Sequence, residues 1–221
     1  MATARGVVII QTQEGTSTMS DLNKVVNSVV QGVNDLGKKG VEPVSFDWGY
    51  ELHHGEAANV VRECNVFCTD LIAGRNPRWL SLLGKPGTGK THLAKRIREH
   101  YKAAKPNRIT RFHRWKDIVD DYLLQWDFGI IDFLSFEVDL LILDDIGVEK
   151  ATQIGLSNLY KVLDNRLGKW TIITSNLKLP QIVDMEGRVA SRMVRGGSQI
   201  FTFKDCPDWS LEQFKKRQND Y

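Results

Sequence analysis

The chain has 221 residues, 42% of them hydrophobic, and its 30 basic and 27 acidic residues leave a formal net charge of +3. This length suits one α/β domain with a modest appendage, and so small a charge does not by itself indicate nucleic-acid binding. Three cysteines, two of them one helical turn apart at Cys64 and Cys68, indicate neither a disulfide framework nor a zinc site. The sequence lacks both an apolar run of ~18 residues and a signal-peptide pattern, so we expect a soluble cytoplasmic protein without membrane contact.

The first 44 residues are predicted to form a segment distinct from the main domain. Residues 1–19 are mostly polar and are expected to be mobile, whereas residues 20–36 carry apolar side chains at three- and four-residue steps. That spacing predicts an amphipathic helix, which would either pack on its own domain or bind a protein partner. Residues 45–221 are predicted to form the main domain.

Beyond residue 55 the chain alternates between predicted helices and short apolar strands. A helix predicted over residues 56–73 has one apolar stripe, which includes both Cys64 and Cys68 and places them in the core. Strands that are apolar throughout and separated by helices indicate a parallel sheet with helices on both faces. The five predicted strands are Leu80–Leu83, Ile109–Phe112, Asp139–Leu143, Thr171–Thr174 and Gln199–Phe203.

A glycine-rich stretch directly after the first predicted strand has the G-x-x-x-x-G-K-[ST] pattern of a phosphate-binding loop. Its glycines let backbone N–H groups converge on phosphate oxygens, and the next helix adds the partial positive charge of its N-terminus. Lys90 would lie near the β and γ phosphates of ATP, and the Thr91 hydroxyl would bind Mg²⁺. The predicted nucleotide contacts are Gly84, Lys85, Pro86, Gly87, Thr88, Gly89, Lys90, Thr91 and His92.

Polar residues also follow the third and fourth predicted strands. Asp144 and Asp145 end an apolar run, at the edge where parallel sheets bind ligands. We expect Asp144 to bind hydrated Mg²⁺ with Thr91, and Asp145 to polarise the water that attacks the γ phosphate. Asn176 follows the next strand and is predicted to orient this water, although an Asn there is often only a turn residue. The sequence thus predicts an ATPase that uses ATP and Mg²⁺.

Taken in order, the stretches 84–94, 141–147 and 174–177 resemble the AAA+ helicase loaders of the DnaC and DnaI type and the related IstB transposition ATPases. The resemblance covers residues 45–205 and implies a five-stranded sheet in the order 5-1-4-3-2. It also implies that Asn176 is the sensor residue and Arg192 the arginine finger. Since 18 residues follow Phe203, no C-terminal lid domain is expected.

Arg188 and Arg192 lie one helical turn apart and so share a helix face. A guanidinium that reaches the γ phosphate of a neighbouring subunit stabilises the transition state and makes hydrolysis depend on assembly. Two surface arginines are the alternative, and between the two residues we favour Arg192. Hydrolysis is expected to be slow, because Asp145 stands where AAA+ sites more often have the longer glutamate.

Basic residues cluster around the second predicted strand and the helix after it. Such a cluster with an aromatic residue suits a single-stranded backbone with a base stacked on the ring, but a solvated basic edge with the tryptophan in the core fits equally well. The cluster consists of Arg108, Arg111, His113, Arg114 and Lys116, with Trp115 among them.

Together with these patterns, the resemblance to the DnaC- and DnaI-type loaders implies an ATP-dependent oligomer that delivers a hexameric replicative DNA helicase onto single-stranded DNA in a bacterium or a phage-infected host. The first alternative is an IstB-like regulator that assembles on duplex DNA and contacts a transposase. The second is a nucleotide-gated adaptor that binds ATP and hardly hydrolyses it.

Overall fold

A computed structural model describes residues 55–122, 126, 129–147, 152–195 and 197–203, together with six single positions between 206 and 218. All of them belong to the compact unit formed by residues 42–221. The helix predicted over residues 20–36 lies outside the described residues.

The described elements alternate between helices and strands, and each of the five predicted strands is present within two residues of its predicted bounds. The helix predicted over residues 56–73 is also confirmed. None of the described helices is both long and apolar enough to span a membrane. In chain order the elements are α1 (Gly55–Ala73), β1 (Trp79–Gly84), α2 (Lys90–Ala104), β2 (Thr110–Arg114), α3 (Trp115–Asp121), α4 (Gly129–Asp132), a π-helix (Phe133–Glu137), β3 (Leu140–Asp144), α5 (Gln153–Asn165), β4 (Trp170–Ser175), α6 (Leu179–Met185), α7 (Gly187–Met193) and β5 (Gln199–Phe203).

The five strands form one sheet in the order β2-β3-β4-β1-β5, and all four neighbouring pairs are parallel. Read from the other edge, this is the predicted order 5-1-4-3-2. Every residue of β1, β3 and β4 is buried, whereas the edge strands β2 and β5 are partly exposed. The central strands are therefore apolar at nearly every position, because helices cover both of their faces.

The sheet divides the core into two apolar clusters, one on each face. Alternate residues of β3 enter different clusters, so Leu141 and Leu143 lie in one and Leu140 and Ile142 in the other. Cys68 of α1 is fully buried in the second cluster, as the sequence predicts, and burial raises the pKa of its thiol to about 12. This thiol therefore stays protonated at neutral pH.

A fully buried arginine, Arg166, connects several elements at the end of the sheet where the strands begin. Arg166 donates to the carbonyl oxygens of Leu134 (2.8 Å), Val138 (2.9 Å) and Trp170 (2.6 Å) and to the hydroxyl of Thr171 (2.9 Å). These acceptors come from the π-helix, from the turn before β3 and from the start of β4. Burial lowers the pKa of Arg166 to about 10, so the side chain stays charged at neutral pH.

Candidate nucleotide-binding site

The phosphate loop runs from the end of β1 to the first residue of α2. Gly87 (φ 75°) and Gly89 (φ 87°) both have left-handed backbone conformations, which strain any residue with a side chain. The hydroxyl of Thr88 closes the loop by donating to the Lys85 carbonyl at 3.0 Å. The loop backbone therefore passes directly into the N-terminal turn of α2, as a phosphate site requires.

Lys90, the first residue of α2, is buried with its ammonium inside the loop. Its Nζ donates to the carbonyls of Gly84 (2.7 Å) and Lys85 (2.6 Å) and to Oδ1 of Asn176 (3.1 Å). Burial lowers the pKa of Lys90, against the opposing effect of two nearby carboxylates. The ammonium is thus held by neutral oxygens of the loop and of Asn176.

The two predicted magnesium ligands lie side by side. Thr91 Oγ1 donates to Oδ1 of Asp144 at 2.8 Å, and Thr174 Oγ1 donates to the same carboxylate oxygen at 2.7 Å. Asp144 is 2% exposed, so these hydroxyl donors provide the hydrogen bonds that water would give an exposed carboxylate. A hydroxyl and a carboxylate are hard oxygen donors of the kind that Mg²⁺ prefers, so the residues present fit this ion.

Asp145 and Asn176 form the second half of the site. Asp145 has a left-handed backbone conformation (φ 59°), which Asp tolerates better than most residues, and its N–H donates to Oγ1 of Thr174 at 2.9 Å. Asn176 Nδ2 donates to Oδ1 of Asp145 at 2.7 Å, while its Oδ1 accepts from Lys90. Burial raises the pKa of Asp145, and the neighbouring Asp144 raises it further. Asn176 therefore connects the buried ammonium to the predicted catalytic carboxylate.

Thr174 joins this cluster although no role was predicted for it. Its hydroxyl accepts from the backbone of Asp145 and donates to Asp144, so it fixes both acids at once. Its position near the end of β4 is the available signal, because β4 lies beside β3 in the predicted strand order. A polar residue there faces the end of the neighbouring strand.

The remaining predicted nucleotide contacts lie at the surface of the site. The side chains of Lys85, Pro86 and His92 are exposed. Gly87 lies against Asp208, whose carboxylate occupies the space that a side chain at position 87 would need. Asp208 thus reaches the phosphate loop, which nothing in the sequence indicates.

The two candidate finger arginines belong to α7. Among the described residues, the hydrogen-bond partners of Arg192 are Asp164 and Tyr160 of α5, and none belongs to the phosphate loop. Arg188 forms an ion pair with Glu186 at 2.9 Å. Neither arginine is therefore part of the hydrogen-bonded cluster around Lys90.

The basic cluster around β2 separates into core and surface positions. Trp115 is fully buried, so the interpretation in which a base stacks on it is wrong and the alternative with Trp115 in the core is confirmed. Burial and the nearby Arg111 lower the pKa of His113, which is therefore neutral at neutral pH. Arg108 pairs with Asp139 at 3.0 Å, and Lys116 pairs with Asp120. Arg111 and Arg114 are both exposed.

The sequence of the chain matches one protein-family model over more than half of its length. The model of the IstB-like ATP binding proteins matches residues 52–187. The chain belongs to this family. With its phosphate loop and its sheet order, it is an AAA+ P-loop ATPase that binds ATP.

Two curated proteins are similar in sequence to the chain. The chain is 25% identical over 204 residues to the uncharacterized protein YdaV of Escherichia coli K12, covering 87% of this chain and 80% of that protein. It is 28% identical over 201 residues to the chromosomal replication initiator protein DnaA of Oenococcus oeni. That match covers 83% of this chain and 44% of DnaA, so the chain spans less than half of that relative.

Solved structures show the same fold. The DnaC helicase loader matches with a TM-score of 0.58 at 22% identity, over 71% of this chain and 95% of that one. DnaI matches with a TM-score of 0.56 at 22% identity, over 72% and 87%. DnaA bound to AMPPCP and single-stranded DNA matches with a TM-score of 0.53 at 18% identity, over 72% and 51%.

Proposed function

We propose that the chain is a helicase loader, which uses ATP to deliver a hexameric replicative helicase onto single-stranded DNA in a bacterial or phage-infected cell. The observation that carries this proposal is the match to the DnaC helicase loader, of which the chain covers 95%. The match to DnaI, of which it covers 87%, supports the same choice.

In this proposal the triphosphate of ATP occupies the loop from Gly84 to Thr91. Lys90 exchanges its bonds to the loop carbonyls for bonds to the β and γ phosphates. Thr91 and Asp144 hold Mg²⁺, which supplies neutralising charge to the phosphate oxygens when bound. The hydrogen bond between these two side chains supports the assignment, because it places both oxygens at one point beside the loop.

Asp145 and Asn176 are proposed to handle the attacking water. Asp145 accepts a hydrogen bond from the water and orients it toward the γ phosphate, while Asn176 fixes the Asp145 carboxylate. The 2.7 Å bond from Asn176 to Asp145 supports this division of roles. Asp145 is shorter than the usual glutamate, so we expect slow turnover.

Arg192 is proposed to act on ATP bound to a neighbouring copy of the chain. A guanidinium at the γ phosphate stabilises charge in the transition state, so hydrolysis would require an oligomer. The placement of Arg192 on α7, with partners on α5 and none in its own phosphate loop, supports action between subunits. Arg188 stays the second candidate.

We propose that single-stranded DNA contacts the exposed edge strand β2 through Arg111 and Arg114. Guanidinium groups neutralise backbone phosphates without reading sequence, so DNA affinity would fall with rising salt. The exposure of both side chains supports the proposal. We expect Arg111→Ala and Arg114→Ala each to reduce the salt dependence of DNA affinity by about one phosphate contact.

A loading assay with purified components tests the function. The wild-type chain is expected to place a hexameric replicative helicase on single-stranded DNA in the presence of ATP, as measured by unwinding of a forked duplex. Lys90→Ala is expected to abolish loading. The matched control Lys102→Ala removes an exposed lysine from the same helix and should load normally.

The IstB-like regulator is the second candidate, and the family match supports it. If the chain forms ATP-dependent filaments on duplex DNA and does not capture a helicase, the loader proposal is wrong and the regulator is the better proposal. ATP binding without turnover at any protein concentration would favour the nucleotide-gated adaptor.

Binding of the helicase by residues 20–36 stays a prediction. Deletion of that segment is expected to abolish helicase pull-down and to leave ATP binding unchanged, as measured with a fluorescent ATP analogue. Retained pull-down would contradict it.

A further inference from the structure

The guanidinium of Arg192 is held by two residues of α5 that lie one helical turn apart. Its Nε donates to Oδ1 of Asp164 at 2.5 Å, and its Nη2 donates to the Tyr160 hydroxyl at 2.7 Å. The guanidinium carbon also lies 5.0 Å from the centre of the Tyr160 ring. The Arg192 side chain is 14% exposed, against 54% for Arg188. A long side chain with several rotatable bonds is thus confined to one orientation.

Both helices that meet at Arg192 are anchored in the same core. Val189 and Met193 of α7 are fully buried, and so are Leu159 and Leu163 of α5. The position of the Arg192 backbone relative to its two partners is therefore set by apolar packing on either side.

Among the residues that the structure describes, Nη1 of Arg192 has no hydrogen-bond partner. A guanidinium has five N–H groups, and the bonds to Asp164 and Tyr160 use one on Nε and one on Nη2. The remaining N–H groups belong to Nη1 and Nη2, which together form the fork that binds two oxygens of a phosphate. Asp164 and Tyr160 thus hold the side of the group that Nε and Nη2 form, and the N–H groups of the fork are bonded to described residues only through Nη2.

From this arrangement we infer that Tyr160 and Asp164 are positioning residues for Arg192. They orient its guanidinium toward the γ phosphate of ATP bound to a neighbouring copy of the chain. The inference rests on the proposed function of Arg192 as the arginine finger. It adds that the finger works only when α5 of the same subunit holds it.

Steady-state ATPase kinetics of the assembled protein test this. Asp164→Asn is expected to lower kcat about 10- to 100-fold, the scale of a misplaced catalytic group, with KM for ATP unchanged. Tyr160→Phe keeps the ring and loses only the hydroxyl, so a smaller loss is expected. In an Arg192→Ala background neither substitution should lower kcat further, because residues that act through one group are not additive. Asp132→Asn is the control, an exposed acid in a surface ion pair with Lys161.

Mixed oligomers separate a finger defect from a structural one. A Lys90→Ala chain lacks a working ATP site but still carries a finger for its neighbour. Mixing it with Asp164→Asn chains is therefore expected to restore hydrolysis above the sum of the two separate rates. A defect confined to the ATP site of the Asp164→Asn chain would not be restored.

The possible results distinguish a failure of the finger proposal from a failure of the inference about Tyr160 and Asp164. Wild-type hydrolysis by Arg192→Ala would overturn the finger proposal and with it this inference. If Arg192→Ala is inactive and is restored by Lys90→Ala chains, while Asp164→Asn and Tyr160→Phe hydrolyse at the wild-type rate, only the inference is overturned. A slow Asp164→Asn that mixing does not restore also overturns it. If thermal melting shows that Asp164→Asn does not fold, the same two measurements on Tyr160→Phe decide.

Discussion

Two buried cations, Arg166 and Lys90, lie at opposite ends of the strands and differ in what they bind. Arg166, where the strands begin, donates to four protein oxygens and holds the π-helix to β4. Lys90, where β1 ends, donates to two loop carbonyls and one amide beside a pair of carboxylates. Four of the five N–H groups of the arginine donate to groups of the fold that cannot leave, whereas under the proposed function each acceptor of the lysine would be replaced by a phosphate oxygen. We therefore expect burial of the charge to stabilise the fold at Arg166 and, under the proposed function, to serve ATP binding at Lys90.

The largest expected effect is on stability, from Arg166→Met. The substitution leaves three buried carbonyl oxygens without their charged donor, so we expect the free energy of unfolding to fall by about 3–5 kcal/mol. Urea denaturation measures this. A loss as small as that of Arg108→Met, which removes an exposed ion pair, would show that the Arg166 bonds do not stabilise the fold.

Lys90→Ala is expected to lower the ATPase activity strongly and the stability little, unlike Arg166→Met. It should lower the ATPase rate by about 1,000-fold, since it removes the charge at the β and γ phosphates, while the free energy of unfolding changes by no more than about 1 kcal/mol. Removing a desolvated ammonium relieves an unfavourable burial, which compensates its lost bonds. Strong destabilisation by Lys90→Ala would show that Lys90, like Arg166, serves mainly to stabilise the fold.

The pH dependence of hydrolysis tests whether the carboxylate beside Lys90 takes part in the reaction, unlike the groups around Arg166. The pKa of Asp145 is raised by burial and by Asp144, and its ionised form is the one that can polarise the attacking water as a base. As pH falls through this raised pKa, Asp145 takes up a proton and kcat/KM decreases. The acid limb is therefore expected at a higher pH than for an ordinary Asp. The residual activity of Asp145→Asn should show no such limb, and an unchanged limb would assign it to another group.

Thr174→Val gives the smallest expected effect. It removes the hydroxyl shared by Asp144 and the backbone of Asp145, and we expect a loss of about 1–2 kcal/mol in the free energy of unfolding. Because Asp144 loses one donor, the Mg²⁺ concentration that supports half-maximal hydrolysis should also shift. Ser in place of Thr keeps the hydroxyl and is expected to preserve both quantities.

The five strands were predictable because their signals are local, whereas their order followed only from the resemblance to the DnaC, DnaI and IstB ATPases. Apolar runs marked the strands, and the glycine pattern marked the loop between β1 and α2. The contacts of Arg166 were not predictable, because a basic residue after a helix gives no sign of the distant carbonyls around it. Trp115 was ambiguous for a related reason. It stands between an exposed arginine and an exposed lysine, and only the packing of α3 on the sheet decides which way it faces.

One close approach links ATP binding to the completion of the fold. Gly84 opens the phosphate loop and is paired with Phe203 of β5, and a Cβ on Gly84 would lie 2.5 Å from the Phe203 carbonyl oxygen. The strand that supports the loop is thus the last of the five to leave the ribosome. During synthesis, a chain that already contains the whole loop still lacks its lateral support. ATP capture by nascent chains of increasing length is therefore expected to begin only once residue 203 has emerged.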